Sequence, residues 1–196
     1  MALYTGKGDD GTTYFFGSKE RFGKDTPLVE ALGTCDELCS LLGYLRARFQ
    51  GSTLRLDSQG QTLGSDSEIL EEVQQNIFII QAELAGADKQ IVKEKVRAME
   101  ERINNIEKAL PSITTFFVPG ANEISALFDL ARTVARRAER RVVALETMFS
   151  NEIRKPGFRI SKWSLAYLNR LSSLLYALAR LHAQKEGKVE KKPHYK

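Results

Sequence analysis

Apolar residues recur at intervals of three and four in several stretches of the chain, a spacing that predicts amphipathic α-helices. The first predicted helix begins at Thr26-Pro27, because threonine suits the N-cap and proline suits the first helical turn. We expect this helix to bury its apolar face against other helices. That face comprises Leu28, Ala31, Leu32, Cys35, Leu38, Cys39, Leu42 and Leu45.

Four more helices are predicted further along the chain. The second starts at a cap on Asp66 or Ser67 and ends near 87, and the others cover approximately 91–110, 122–148 and 161–185. Pro111 ends the third helix, and Pro156-Gly157 breaks the chain before the fifth. The sequence therefore predicts an all-α fold, a five-helix bundle with an ordered glycine-rich N-terminal loop.

The segments outside the helices differ in character. Residues 1–24 are typical of an ordered loop with short extended pieces, 51–65 of a polar Gly/Ser loop, and 113–120 of an apolar extended segment. The charged tail, residues 187–196, has few apolar side chains and is expected to be disordered. We therefore predict one helical-bundle domain over residues 1–186.

Composition and cysteine content indicate the cellular compartment of the protein. Of its 196 residues 42% are hydrophobic and 28% charged, and we expect neither a membrane span nor a signal peptide. The two cysteines, Cys35 and Cys39, lie four positions apart, which favours buried reduced thiols over a disulfide or a metal pair. These features predict a cytoplasmic protein without membrane attachment.

The glycine-rich segment Tyr4–Thr13 is the first candidate for chemistry. Gly6, Gly8 and Gly11 formally satisfy G-x-G-x-x-G, but the flanking sequence predicts neither the preceding strand nor the following helix of a dinucleotide-binding fold. A Walker A motif is excluded as well, because no Gly-Lys-Ser/Thr ends the run. The segment can still bind phosphate as a nest of backbone N–H groups, and the alternative is a plain surface turn.

The side chains of the same segment favour a nucleotide with a bound cation. Asp9 and Asp10 would repel a bare phosphate, whereas a divalent cation between them and the phosphate removes the repulsion. A Mg²⁺–nucleotide complex therefore fits this segment better than a free anion. Hydroxyl groups and positive charge come from Thr5, Lys7, Thr12 and Thr13.

The fourth predicted helix carries the second candidate. Its apolar stripe runs from Leu127 to Leu145, and Arg132, Arg136 and Glu139 fall on the side opposite that stripe. Clustered arginines repel one another and match phosphate oxygens, so an anionic ligand is expected, in line with the net charge of +4. The alternatives are a solvated face with Glu139 as counter-ion and a nucleic-acid surface, although no aromatic residues interleave with the arginines.

Two weaker candidates complete the set. Asp36 and Glu37 point in different directions on the first helix, so one can pair with an arginine, although two surface acids are the usual case. The segment Phe116–Gly120 either belongs to the core or lines a ligand pocket.

Six segments of the chain, taken in their order along the sequence, resemble the PduO-type ATP:cob(I)alamin adenosyltransferases. They are YTGKGDDGTT, Lys24, EALGTCDEL, FFVPG, ARTVARRAERRVVAL and YLNRLSSLLY, and they span Tyr4 to Tyr176. The resemblance implies transfer of the 5′-deoxyadenosyl group of ATP to cob(I)alamin, which gives adenosylcobalamin and triphosphate. It also implies a homotrimer of five-helix bundles with active sites between subunits.

The resemblance assigns roles to individual residues. Asp36 and Arg132 would form a salt bridge across the subunit boundary, and Phe116 would lie beneath the corrin ring; these three are the expected catalytic residues. Glu139 is the expected metal ligand. The residues implied to bind the nucleotide are Thr5, Gly6, Lys7, Gly8, Asp9, Gly11, Thr12, Thr13, Lys24, Arg136, Arg137, Glu139, Arg140 and Asn169.

The implied ligands are ATP as co-substrate, Mg²⁺, and cobalamin as substrate. The implied protein partners are an electron donor and a cobalamin-dependent mutase, and no nucleic acid is expected. Two positions depart from the family pattern, both on the corrin side. Gly120-Ala121-Asn122 follows Pro119 where the family often has a double glycine, and Asp129 stands where it often has histidine.

Overall fold

The computed structural model describes residues 3–15, 20–49, 55–56, 62–151, 160–187 and 190–195. Within these ranges the chain forms five α-helices, so the predicted fold class is confirmed, and each predicted helix has an observed counterpart. They are α1 (Pro27–Arg48), α2 (Asp66–Leu84), α3 (Lys93–Lys108), α4 (Glu123–Asn151) and α5 (Lys162–Lys185).

Two short antiparallel hairpins accompany the helices. β1 (Thr12–Tyr14) pairs with β2 (Arg21–Gly23) in the N-terminal segment, where extended pieces were expected. β3 (Arg55–Leu56) pairs with β4 (Thr62–Gly64) in the segment that the sequence predicted as a plain polar loop. Strands of two or three residues are too short to produce an alternating pattern, so the sequence contains no signal for this second hairpin.

The helices share one apolar core. α4 packs against both α1 and α5, α3 lies against α5, and α2 lies against α1. Leu38 of α1, Ala138 of α4 and Leu171 of α5 are completely buried; burying a leucine side chain stabilises the fold by about 2 kcal/mol. Cys35 and Cys39 are buried free thiols, as predicted.

Hydrogen bonds at the helix ends fix where α2 and α5 begin. Ser65 caps α2, because its hydroxyl accepts the N–H of Glu68 and the Glu68 carboxylate accepts the N–H of Ser65. The predicted cap at Asp66 or Ser67 is therefore wrong by one or two positions, since only Ser65 has glutamate three residues later. Ser161 caps α5 and accepts the N–H of Ser164, as the predicted start implied.

Two residues of the C-terminal tail contact the rest of the structure. Glu190 forms an ion pair with Arg180 of α5, and the carbonyl of Lys191 accepts the N–H of Val118 at 2.8 Å. Disorder was expected from residue 187 because the tail is charged, but a buried arginine supplies a partner that composition does not reveal. Within the described part of the chain, no helix combines the length and the apolar character that crossing a bilayer requires.

Candidate functional site

A cleft of about 660 Å³ opens between α4, α5 and residues 113–117, which precede α4. Aromatic and cationic side chains share its lining, which suits a ligand that has both an apolar surface and negative charge. The lining consists of residues 113–117, Asp129, Arg132, Arg136, Ser172, Ser173 and Tyr176.

Arg132 is held at this cleft by an internal ion pair. Its Nε lies 3.3 Å from Oδ1 of Asp129, one helical turn earlier, and its guanidinium lies 5.8 Å from the centre of the Tyr176 ring. The Arg132 side chain is only 26% exposed. Arg132 therefore occupies the flank of α4 that faces α5, and the prediction that it lies opposite the core is wrong for this residue.

The other arginines of α4 divide between two flanks. Arg137 pairs with Glu37, and Arg141 Nε lies 3.3 Å from Oε1 of Glu30; both carboxylates belong to α1. Arg136 lies on the cleft side and Arg140 is exposed between the flanks. A single chain therefore does not gather all of the predicted nucleotide-binding arginines at one point.

Glu139 of α4 and Asn169 of α5 lie together on the surface. The Asn169 amide donates to Glu139 Oε1 at 2.7 Å, and Arg170 donates to Asn169 Oδ1 at 2.5 Å. Arg170 is itself fixed by Glu100 of α3 at 2.9 Å. These contacts orient the Glu139 carboxylate. In the residues that the structure covers, no cluster of three or more His, Cys, Asp or Glu side chains could hold a metal ion.

The glycine-rich loop is an ordered turn that leads into β1. Gly6 and Gly11 have φ angles of 66° and 81°, in the left-handed region that favours glycine. Oδ1 of Asp10 accepts the N–H of Thr12 at 2.9 Å and its hydroxyl at 2.7 Å. These hydrogen bonds, above all the one from the hydroxyl, lower the pKa of Asp10.

Two basic residues hold this loop from the side of β2. Arg21 lies 3.1 Å from Asp10 and donates to the Lys7 carbonyl, so the charge of Asp10 has a partner within the loop. Lys24 donates to the Gly8 carbonyl at 2.7 Å, and a Cβ at Gly8 would lie 3.1 Å from the Lys24 ammonium. The structure thus brings Lys24 to the loop, and its role in nucleotide binding stays a prediction.

Several predicted site residues are exposed on the surface of a single chain. Asp36 is exposed on α1, while its predicted partner Arg132 is bound to Asp129 of the same chain. Phe116 is 77% exposed at the cleft. Thr5, Lys7 and Asp9 are exposed on the loop. The roles of these residues, and the Asp36–Arg132 pair between subunits, stay predictions.

Comparison with known proteins identifies the family. A family model described as cobalamin adenosyltransferase matches residues 3–182 of the chain. This chain belongs to that family. The match includes the glycine-rich loop, α1 to α4, most of α5 and the cleft, and it confirms the family that the sequence motifs indicated.

Relatives in this adenosyltransferase family match over most of the chain. The corrinoid adenosyltransferase of Bacillus subtilis (strain 168) is 36% identical over 191 residues, which cover 95% of this chain and 89% of the relative. The corrinoid adenosyltransferase PduO of Citrobacter freundii is 36% identical over 187 residues, which cover 92% of this chain and 49% of the relative. This chain therefore spans about half the length of that PduO protein.

A solved structure has the same fold. It is a variant of the PduO-type ATP:corrinoid adenosyltransferase from Lactobacillus reuteri complexed with cobalamin and ATP. Its TM-score with this chain is 0.79, at 31% sequence identity, and the alignment covers 98% of this chain and 99% of the other.

Sequence reasoning missed three residues that shape the site of this family member. Arg21 neutralises Asp10 in the loop, and Arg180 of α5 and Tyr176 lie beside the Asp129–Arg132 pair. The sequence does contain a signal for Arg180, because this arginine interrupts the apolar run of the last helix. A charged residue on a buried helix face needs a buried partner of opposite charge. The identity of that partner depends on packing between helices.

Proposed function

We propose that this chain transfers the 5′-deoxyadenosyl group of ATP to the cobalt of cob(I)alamin and releases triphosphate. The observation that carries the proposal is the cleft, in which Arg132, Arg136 and Phe116 line one space in a member of this family. The L. reuteri protein of the same fold is complexed with both proposed substrates, cobalamin and ATP.

The nucleotide site is proposed to form between neighbouring subunits of a homotrimer. In a single chain the hydrogen bonds of the glycine-rich loop join it to itself, to Arg21 and to Lys24, while Arg136 and Arg140 are exposed on α4. A neighbouring subunit's loop beside α4 would bring backbone N–H groups, an ammonium and guanidinium groups to one triphosphate. Several weak anion contacts would then act on the same ligand.

The residues present fit one Mg²⁺ ion that is shared with the nucleotide. Magnesium in nucleotide sites usually takes one or two carboxylates together with phosphate oxygens and water. Glu139 supplies a single carboxylate that Asn169 already orients. When bound, the ion would neutralise charge on the triphosphate.

The proposed reaction is a substitution at C5′ of ATP. The electron pair of cobalt(I) forms the cobalt–carbon bond, the C5′–oxygen bond breaks, and its electron pair leaves with the triphosphate. No proton is transferred in this step, so the enzyme needs no general base. The histidine of α5, His182, contacts Asp66 of α2 and has no role in the proposed reaction. The chain's own contribution is to hold the two substrates in line and to place Arg132 and Arg136 beside the departing charge.

The corrin side of the cleft is proposed to favour reduction of cobalt(II). A cobalt ion without its lower axial ligand is easier to reduce, because axial ligands set the potential of a macrocyclic metal. Phe116 is exposed enough to fill that position with apolar surface and to exclude water. An external donor would supply the electron.

A direct assay tests the proposed function. The protein is mixed in the dark with ATP, Mg²⁺ and chemically reduced cobalamin, and we expect a light-sensitive cobalt–carbon product together with an equal amount of triphosphate. Release of ADP and phosphate would indicate a nucleotide hydrolase instead. Absence of the alkylated product, with nucleic-acid affinity that falls steeply as salt rises, would favour the nucleic-acid alternative.

Other expectations stay predictions for this chain. They are a single domain over residues 1–186, the homotrimer, a cytoplasmic location, and a cobalamin-dependent mutase that receives the product. The ion pairs of Arg137 and Arg141 with carboxylates of α1 argue against the nucleic-acid alternative. These pairs neutralise positive charge that a nucleic-acid-binding surface would need for contacts with phosphates.

A further inference from the structure

A buried arginine connects the cleft to the C-terminus of the chain. The Arg180 side chain on α5 is 2% exposed, and it lies 2.5 Å from Oδ2 of Asp129, which is 4% exposed. A second carboxylate, Glu190, approaches the other terminal nitrogen of the same guanidinium. A buried guanidinium destabilises the fold strongly unless it is paired, so Arg180 depends on these ion pairs.

Two aromatic rings enclose the same guanidinium. Its central carbon lies 4.9 Å from the centre of the Tyr176 ring and 5.7 Å from that of Phe117. Tyr176 also lies beside Arg132, and Phe117 belongs to the 113–117 wall of the cleft. Arg180 therefore contacts both sides of the cleft from behind its lining.

The C-terminal segment contacts the aromatic wall through its backbone as well. The Lys191 carbonyl accepts the N–H of Val118, two residues after Phe116. Phe117 is partly buried against Arg180, whereas Phe116 is 77% exposed at the cleft. Phe116, Phe117 and Val118 are consecutive residues, so fixing Phe117 and Val118 also restricts the direction of Phe116.

Asp129 extends this connection to the catalytic side of the cleft. Its Oδ1 binds Arg132 at 3.3 Å, and its Oδ2 binds Arg180 at 2.5 Å. The two oxygens of one buried carboxylate thus fix the guanidinium at the cleft relative to the one behind it.

We propose that Arg180 is a positioning residue and that Glu190 and Lys191 form a strap that holds the Phe116 wall and, through Asp129, Arg132 in place for the corrinoid. The assignment rests on the proposed function for its kinetic consequences. The strap itself is a structural claim that can be tested without any substrate.

A matched pair of truncations tests the strap on the free protein. A chain that ends at Gly187 loses Glu190 and Lys191, whereas a chain that ends at Lys192 keeps both contacts. Hydrogen–deuterium exchange of the 113–118 amides should be about fivefold faster or more in the shorter chain and unchanged in the longer one. Exchange that is equal in the two truncations would overturn the strap.

Two substitutions test the positioning role when cobalamin turnover is measured. Glu190→Gln removes one charge at the end of the chain, and Arg180→Met removes the guanidinium but keeps much of its apolar volume. Both should raise the KM for the corrinoid by about tenfold and leave the KM for ATP unchanged, because displacing Arg132 affects the charge that develops on the departing triphosphate and so lowers kcat. Arg180→Lys, which keeps a positive charge, should recover part of the loss.

The kinetic outcomes separate this inference from the proposed function. A purely structural role would lower the amount of folded enzyme and leave both KM values unchanged, which would overturn the positioning role. Equal increases in both KM values would also overturn it. If the unaltered protein forms no alkylated cobalamin, the proposed function fails, while the exchange experiment still decides the strap.

Discussion

The arginines of α4 between residues 132 and 141 differ in what they contact. Arg137 and Arg141 face carboxylates of α1, whereas Arg132 and Arg136 line the cleft. An exposed ion pair contributes about 1 kcal/mol or less, because both charges are well solvated when apart. A guanidinium that stabilises developing charge in a closed site contributes considerably more. The position around the helix therefore decides which arginines matter for turnover.

We expect Arg136→Ala to lower kcat/KM for ATP by about 100-fold, because it removes a charge beside the departing triphosphate. Arg141→Ala is the matched control on the same helix and should change kcat/KM by about twofold or less. Both are measured as the rate of cobalt–carbon bond formation over a range of ATP concentrations. Equal losses in the two variants would show that the cleft side of α4 has no special role.

At the scale of whole elements, a few buried polar contacts join the helix ends. Ser65 and Glu68 form a capping box that starts α2. At the other end of α2, the Glu83 carboxylate accepts the Ser161 N–H at 2.6 Å and the Ser164 hydroxyl. The last turn of α2 therefore satisfies donors at the first turn of α5, and the two helices are fixed end to end. Such contacts set register between helices that apolar packing alone would leave free to slide.

Ser65→Ala should lower the free energy of unfolding by about 1 kcal/mol, because the N–H of Glu68 loses its acceptor. Ser67→Ala, two positions further into the helix, is the control and should change it by about 0.5 kcal/mol or less. Urea denaturation followed by circular dichroism measures both values. A Ser65 variant as stable as the control would show that the capping box contributes nothing.

At the scale of the molecule, burial keeps two thiols and one tyrosine hydroxyl of the core neutral. Burial raises the pKa of the Cys35 thiol from 9.0 to about 12, with smaller contributions from Cys39 and Asp36. Burial likewise raises the pKa of Cys39 and of the Tyr167 hydroxyl, which accepts from Asn76 at 2.9 Å. These groups cannot ionise without exposure to water. The folded state is therefore destabilised at alkaline pH, where these groups lose their protons.

Stability should therefore fall at alkaline pH. The Cys35 pKa is higher in the folded state, so its contribution is complete below pH 9.0 and is lost as the pH rises toward 12. One such thiol lowers the free energy of unfolding by about 1.4 kcal/mol per pH unit in that window. Urea denaturation between pH 8 and pH 10.5 measures the slope, which should be smaller in Cys35→Ala. Identical slopes in the unaltered protein and in Cys35→Ala would show that ionisation of Cys35 does not cause the loss of stability.

The sequence by itself determined the helices, their apolar faces and the family. Helical periodicity is a local property, so Leu38 and Ala138 could be assigned to the core before any packing was known. The glycine-rich segment and the arginine-rich motif are also local patterns, and their order along the chain indicated the family. The boundaries were less certain, as the cap at Ser65 shows, because neighbouring polar residues compete for the same hydrogen bonds.

Only the tertiary structure decided which partner each charged residue has. Asp129 meets Arg180 across two helices, Glu37 meets Arg137 across another pair, and Glu190 meets Arg180 from the far end of the chain. Each pair joins residues whose distance along the sequence bears no relation to their distance in space. Ion pairing depends on the packing angle of the helices and on burial, and neither quantity has a local signature. The separation of the arginines into cleft and α1 flanks, and the strap across the aromatic wall, follow from that packing.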